Sequence, residues 1–306
     1  MKVVSLKVLY KVKEKLTLSQ FQGSIIRGAF GYTFRKIICL IKDKECKECL
    51  LKTKCVYAYI FETPRPEDSK IMRKYETVPR PFIFDPPAND KQEYQQGEKF
   101  TFGLTLIGKA IDYLPYFIYA LDEMGKNGLG RNRGKLELVT IKQGNRAIYD
   151  GIDKKIKNDV KIKELKLTHP KRPIEKIKIK FVTPFRIVYE GKVVQSLDFH
   201  ILIRSLLRRI GLLSYFHSDK PYDIDFTNLI AKAEKIKTIH SDLRLQDQFR
   251  FSTRQHRRIP TSGMIGEITY QGDLTNFIPF LKIGEIIHIG KGTVFGMGKY
   301  KLEVMK

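Results

Sequence analysis

Apolar positions along the chain fall into a repeating order of elements. Residues 3–12 alternate apolar and polar side chains, the period of a half-buried strand. Over residues 18–38, Phe21, Ile25, Ile26, Phe30, Phe34 and Ile37 recur near helical spacing, with Thr17 and Ser19 as cap candidates. Strand-like runs follow at 57–62, 81–84 and 100–107, then a second helix at 113–124 and a closing strand at 135–141. Strand, helix, strands, helix, strand is the order of a ferredoxin-like α+β unit. Residues 153–180 are charged and poor in aromatics, which suits a connection whose end enters a new strand over 176–189. A helix at 197–216, strands at 249–252 and 265–271, a short helix at 274–281 and a strand at 299–304 then repeat the order.

The letters repeat as well. Tyr113-Leu-Pro115 opens the second helix of the first half, and Phe277-Ile-Pro279 opens its counterpart. Proline suits a first helical turn, where its missing N–H loses nothing. Gly128-Leu-Gly130-Arg-Asn-Arg-Gly134 and Gly290-Lys-Gly292-Thr-Val-Phe-Gly296 each precede a basic strand that ends its half. The fold expected is α+β: two tandem ferredoxin-like (RRM-like) domains, at 1–152 and 153–306, with a glycine-rich loop near the C-terminus. A length of 306 residues gives each half enough chain for its own core.

Charge adds a partner. Lys and Arg number 57 against 33 Asp and Glu, a net +24, and a surplus of that size suits a polyanion, nucleic acid first. A Lys-rich thermophile surface is the other account, but such surfaces pair Lys with Glu. No apolar run approaches the ~20 residues that span a bilayer, and lysines interrupt the apolar stretches of the N-terminus, so a cytoplasmic protein is expected.

Cys39, Cys46, Cys49 and Cys55 are the four cysteines of the chain, all within one Lys-rich stretch. A central C-x-x-C flanked by two further thiols can close a tetrahedron, so one structural zinc ion is expected, with an iron–sulfur cluster as the second option and free thiols as the third.

Gly290, Gly292, Gly296 and Gly298 crowd one loop. Glycine permits left-handed backbone and close approach, so this loop suits either a phosphate cradle of N–H groups, with Lys291 adding charge, or a tight helix-to-strand turn. It lacks the order of a Rossmann or a Walker loop. Arg250, Arg254, Arg257 and Arg258 form an arginine run with His256, and Arg131 and Arg133 decorate the first glycine loop. Such forks suit phosphates and stack on bases.

These motifs resemble the sixth Cas family of the RAMP superfamily, the CRISPR-associated endoribonucleases that process precursor CRISPR RNA. The stretch from Gly284 through His288 to Gly298 is similar to that family's C-terminal glycine-rich loop, and the stretch from Ser262 to Asp273 to the strand before it. Ile26-Arg27-Gly28-Ala29-Phe30-Gly31, Pro79-Arg-Pro-Phe82 and the cysteines fit the same branch. The resemblance implies metal-independent cleavage of repeat RNA by the ribose 2′-OH, giving a cyclic phosphate and a 5′-hydroxyl, with other Cas proteins as possible partners. Many members carry a histidine on the first helix, but residues 18–38 contain none. The family often builds its site between that helix and the glycine loop, which makes Tyr32, Arg27 and Arg35 candidates. His288, beside the loop, is the expected base and Lys291 the expected stabiliser of the phosphorane. A non-catalytic RNA-binding RAMP subunit of an effector complex is the competing class.

Overall fold

The computed structural model of the chain describes residues 1–41, 44–75, 77–89, 91–247, 249–252 and 257–305. It divides into two compact units. The N-terminal unit holds Lys2–Lys163 and Phe216–Ser218; the C-terminal unit holds Met1, Glu164–Tyr215 and Asp219–Lys306.

The N-terminal unit is built from β1 (Lys2–Val12), α1 (Gln22–Ile38), β2 (Phe82–Asp85), β3 (Lys99–Ile107), α2 (Leu114–Asn127) and β4 (Leu136–Gln143), extended by β5 (Arg146–Asp150) and β6 (Lys155–Ile156). The sheet order is β2-β3-β1-β4-β5-β6, all antiparallel, with Val3 opposite Ile107 and Lys11 opposite Lys99. The first four strands have the ferredoxin-like arrangement, in which the first and third strands are central.

The helices cover the sheet through aromatics. Phe30 and Phe34, one turn apart on α1, meet Phe117 of α2 at ring separations of 5.1 and 5.4 Å, and Phe30 meets Phe84 of β2 at 5.0 Å. Tyr10 of β1 donates its hydroxyl to the Leu121 carbonyl of α2 at 2.7 Å, and burial pushes that phenol's pKa well up. Gly125 makes this approach possible: a Cβ there would lie 2.6 Å from the Leu136 carbonyl oxygen and 3.0 Å from the Tyr10 ring.

The C-terminal unit repeats the plan with β7 (Lys176–Phe185), α3 (Phe199–His217, whose last two residues belong to the other unit), α4 (Phe226–Ala233), β8 (Lys237–Gln246), β9 (Phe249–Ser252), β10 (Arg257–Pro260), β11 (Gly263–Gln271), α5 (Ile278–Ile287) and β12 (Tyr300–Val304). Its main sheet runs β8-β11-β7-β12, the same order as β2-β3-β1-β4, and β9 and β10 form a separate hairpin. Phe199 packs on Tyr270 and Phe277, and the Tyr300 hydroxyl donates to the Leu281 carbonyl of α5 at 2.7 Å, as Tyr10 does to α2. Pro115 and Pro279 both sit in a first helical turn, where the repeat predicted them.

Local assignments moved in four places. The strand expected over 57–62 is a π-helix, Ala58–Glu62, because its run of Ala, Ile and three aromatics fits either period and here packs on the aromatic cluster. Helix α1 starts at Gln22 with Phe21 as its uncapped N-cap, since Leu16–Thr17 is taken up pairing with Glu93–Tyr94. Helix α4 and strand β8 were not expected; β8 is mostly exposed, so its pattern carries no buried face. Helix α5 runs on to Ile287, which makes His288 its C-cap.

Phe30→Ala should cost about 3–5 kcal/mol, the usual loss for a buried phenylalanine, read as a lower denaturant midpoint. Tyr116→Ala, on the exposed face of α2, should stay within about 0.5 kcal/mol of wild type.

Candidate functional site

The glycine-rich loop connects α5 to β12 and is folded tightly on itself. Gly290, Gly292, Gly296 and Gly298 all have positive φ. At Gly298 the requirement is double: φ is +72°, and a Cβ would stand 1.9 Å from the Ile289 carbonyl oxygen. The N–H groups of Ile289, Lys291, Phe295, Gly296, Met297 and Gly298 all donate to main-chain carbonyls, those of Lys291 and Gly298 reaching Arg186 and Pro184 at the end of β7. Most of the expected phosphate cradle therefore holds the turn together; the N–H groups of Gly290 and Gly292 lie outside that set. Thr183 adds a side-chain bond to the Gly296 carbonyl at 2.7 Å and accepts from Lys299 N–H at 2.9 Å.

His288 is turned inward. It is 1 % exposed, has φ +60°, and its Nδ1 lies 3.2 Å from the Met297 carbonyl. An imidazole so placed braces the two ends of the loop and does not present a base to solvent. Lys291, three residues on, is exposed. Arg209 of α3 donates Nε to the Ile287 carbonyl at 2.7 Å, closing the last turn of α5; burial lowers its pKa. Arg209 stood out in the sequence only as one of a basic pair with Arg208 suited to a nucleic-acid backbone, and Thr183 carried no signal, because each acts on a segment about 80 to 110 residues away.

Helix α1 carries the other candidates. Tyr32 is 70 % exposed on its outer face. Arg27 lies over the Phe61 ring at 5.0 Å and Arg35 over the Tyr57 ring at 5.9 Å, so both guanidiniums are laid on aromatic faces. Arg131 and Arg133 are exposed on the first glycine loop, whose Arg131 N–H donates to the Thr17 carbonyl at 3.0 Å. Arg250, Arg257 and Arg258 lie on the β9–β10 hairpin, with Arg250 opposite Ile259 and Arg258 opposite Phe251. Arg254 and His256 lie outside the described residues.

Among the described residues no three His, Cys, Asp or Glu side chains are grouped so as to hold a metal ion. Cys39 follows α1 directly and its Sγ lies 3.2 Å from the Ile41 carbonyl, while Cys46 and Cys49 bracket a single 3₁₀ turn. Burial and the nearby Glu62 raise the pKa of Cys46, which disfavours its thiolate.

Two family matches cover most of the chain. Residues 1–161 match AF_1859_N, an N-terminal domain family, and residues 179–300, which include the whole glycine-rich loop, match CRISPR-associated endoribonuclease Cas6. The chain carries a Cas6 endoribonuclease match over residues 179–300 and belongs to the AF_1859_N family by residues 1–161. It is a CRISPR-associated RNA-processing endoribonuclease. An uncharacterized protein of Archaeoglobus fulgidus is 28% identical over 291 residues, covering 93% of this chain and 92% of that one. Among solved structures, a Cas6 product complex aligns over 99% of this chain and 100% of its own at a TM-score of 0.61 and 17% identity. Thermus thermophilus Cas6 aligns over 98% of each chain at 0.56 and 16% identity. A partial Cas6-RT-Cas1–Cas2 complex aligns over 99% of this chain and 46% of its own at 0.57 and 14% identity. Together these show the Cas6 fold over the full length. Among the described residues no helix is long and apolar enough to cross a membrane.

Two substitutions test the loop. Gly298→Ala should destabilise it by at least about 1–2 kcal/mol from the left-handed backbone alone. His288→Ala should cost roughly 1–3 kcal/mol, because the Met297 carbonyl loses its buried partner. Both effects are read as lower thermal midpoints.

Proposed function

We propose that this protein cuts the repeat RNA of CRISPR precursor transcripts by internal attack of a ribose 2′-OH. O2′ bonds to phosphorus as the P–O5′ bond breaks, leaving a 2′,3′-cyclic phosphate and a 5′-hydroxyl. The 2′ proton passes to a base and O5′ takes a proton, so no redox partner or metal is required by the chemistry. The observation that carries this reading is the loop matched within the Cas6 family: a turn held rigid by its own main-chain bonds that puts Lys291 into solvent. An ammonium so fixed suits the charge that develops on the phosphorane. His288 acts as the brace of that loop. The exposed Tyr32 hydroxyl on α1 is the candidate for proton transfer. The likeness to a Cas6-RT-Cas1–Cas2 complex supports other Cas proteins as partners.

Purified protein incubated with its repeat RNA in EDTA should cut it, and the upstream product should carry a cyclic phosphate detectable by mass. RNA with a 2′-deoxynucleotide at the scissile position should bind and stay intact. Lys291→Ala should slow single-turnover cleavage by about 10²–10³-fold, and Tyr32→Phe by about 10²-fold or more, with both variants folded. Tight binding without cleavage by the wild-type protein would favour a non-catalytic RNA-binding subunit instead.

A further inference from the structure

A groove of about 910 Å³ opens in the N-terminal unit, among residues that none of the site candidates above includes. One wall is the cysteine stretch, with Lys47, Lys52 and Thr53. The other is the segment that leaves the π-helix, with Arg65, Arg73, Lys74 and Tyr75. Tyr59 contributes from the π-helix itself.

Both walls are shaped by their own bonds. Lys52 N–H donates to the Cys49 carbonyl at 3.0 Å and Cys55 N–H to Leu51 at 2.8 Å, which folds the first wall. In the second, Pro64 bridges to Thr77, Arg65 Nη1 donates to the Pro66 carbonyl at 2.9 Å, and Tyr75 N–H donates to the Met72 carbonyl at 2.9 Å. The Tyr59 ring is oriented by a relay. His217 Nε2–H donates to the Pro79 carbonyl at 2.7 Å, which leaves Nδ1 to accept from the Tyr59 hydroxyl at 2.9 Å. Thr63 and Met72 hold φ at +45° and +55°, and a π-helix is itself rare and concentrated at functional sites.

The charge is one-sided. Five cations line the groove against Glu48 and Glu67, and Lys47 is shared with Glu45 and Glu48 at 3.6 and 3.9 Å. Among the described residues Lys52, Arg73 and Lys74 form no ion pair. Tyr75 is 54 % exposed beside them. Unpaired cations interleaved with tyrosines are the chemistry of a single-stranded nucleic-acid track, in which phosphates meet ammonium and guanidinium groups and bases stack on rings. The volume is that of a ligand pocket and exceeds what a lone ion needs.

The geometry points to this groove as a binding site for a single-stranded segment of RNA, apart from the glycine-rich loop; the inference rests on the proposed function, which supplies RNA as the substrate. The groove would grip a stretch of transcript that is not itself being cut and lengthen the life of the complex.

The test uses the full chain and a fluorescein-labelled ten-residue oligouridylate, with cleavage of repeat RNA by the wild-type protein followed in parallel. Replacing Lys52, Arg73 and Lys74 together with alanine should weaken oligouridylate binding about tenfold or more. It should also flatten the slope of log affinity against log salt by about 2, since each lost single-strand phosphate contact removes roughly 0.7. Tyr75→Ala should weaken binding about fivefold or more at unchanged slope. Lys52→Arg with Lys74→Arg, which keeps the charges, should bind as wild type and guards against loss by misfolding. Unchanged affinity and slope in a folded triple alanine variant would overturn the groove, as would binding of oligoglutamate there without oligouridylate, which would mark a site for an acidic protein. A wild-type protein that fails to cut repeat RNA would count against the proposed function alone, because the oligouridylate comparison is read independently of cleavage.

Discussion

The turn between α5 and β12 has no room for side chains where its two ends meet. The carbonyl of Ile289 occupies the place a Cβ on Gly298 would take, at 1.9 Å, and Ile289 N–H closes the same contact by donating to the Gly298 carbonyl at 3.0 Å. Once those ends are locked, the residues between them have little freedom. Lys291, between them, is turned out to solvent, and His288, just before the lock, has positive φ and is buried under the loop. The chemistry open to the loop follows from that packing: it offers a cation on a rigid frame, with its histidine used to keep the frame closed.

A related constraint sets each unit's second helix. In the N-terminal unit Tyr10 reaches from the sheet to the Leu121 carbonyl and Gly125 lets the backbones close; in the C-terminal unit Tyr300 reaches to Leu281, and a Cβ on Gly284 would lie 2.1 Å from the Tyr300 hydroxyl oxygen. Each phenol would be costly to bury without that bond. The bond fixes where the helix lies on the sheet, and hence where the glycine loop begins. A tyrosine, a helix carbonyl and a glycine thus act together to place the loop that each half of the chain carries before its closing strand.

Cations are distributed around this frame in two ways. Arg27 and Arg35 lie on aromatic rings and Arg209 closes a helix end, so these guanidiniums serve the fold first. Lys291, Lys52, Arg73 and Lys74 extend from loops with no ion pair among the described residues, and these are the charges free to meet phosphate. The net +24 of the chain does not distinguish the two groups; only their surroundings do.

The tandem α+β plan was legible in the chain alone, because the signals involved are local. Helical spacing of Phe30 and Phe34, proline in the first turn of both second helices and two matching glycine loops each act within a few residues, and each appears in the structure where expected. The Cas6-like glycine loop was legible for the same reason. Residues 57–62 were not, because a short aromatic run suits strand and helix alike and contact with Phe82 and Phe34 decides it. Strand β8, with little buried side chain, left no period to read. Folding in three dimensions was needed to make His288 a brace and to bring Lys52 into one groove with Arg73 and Lys74. Those outcomes depend on which atoms meet across separations in the chain, and burial and contact of that kind exist only once the chain has folded.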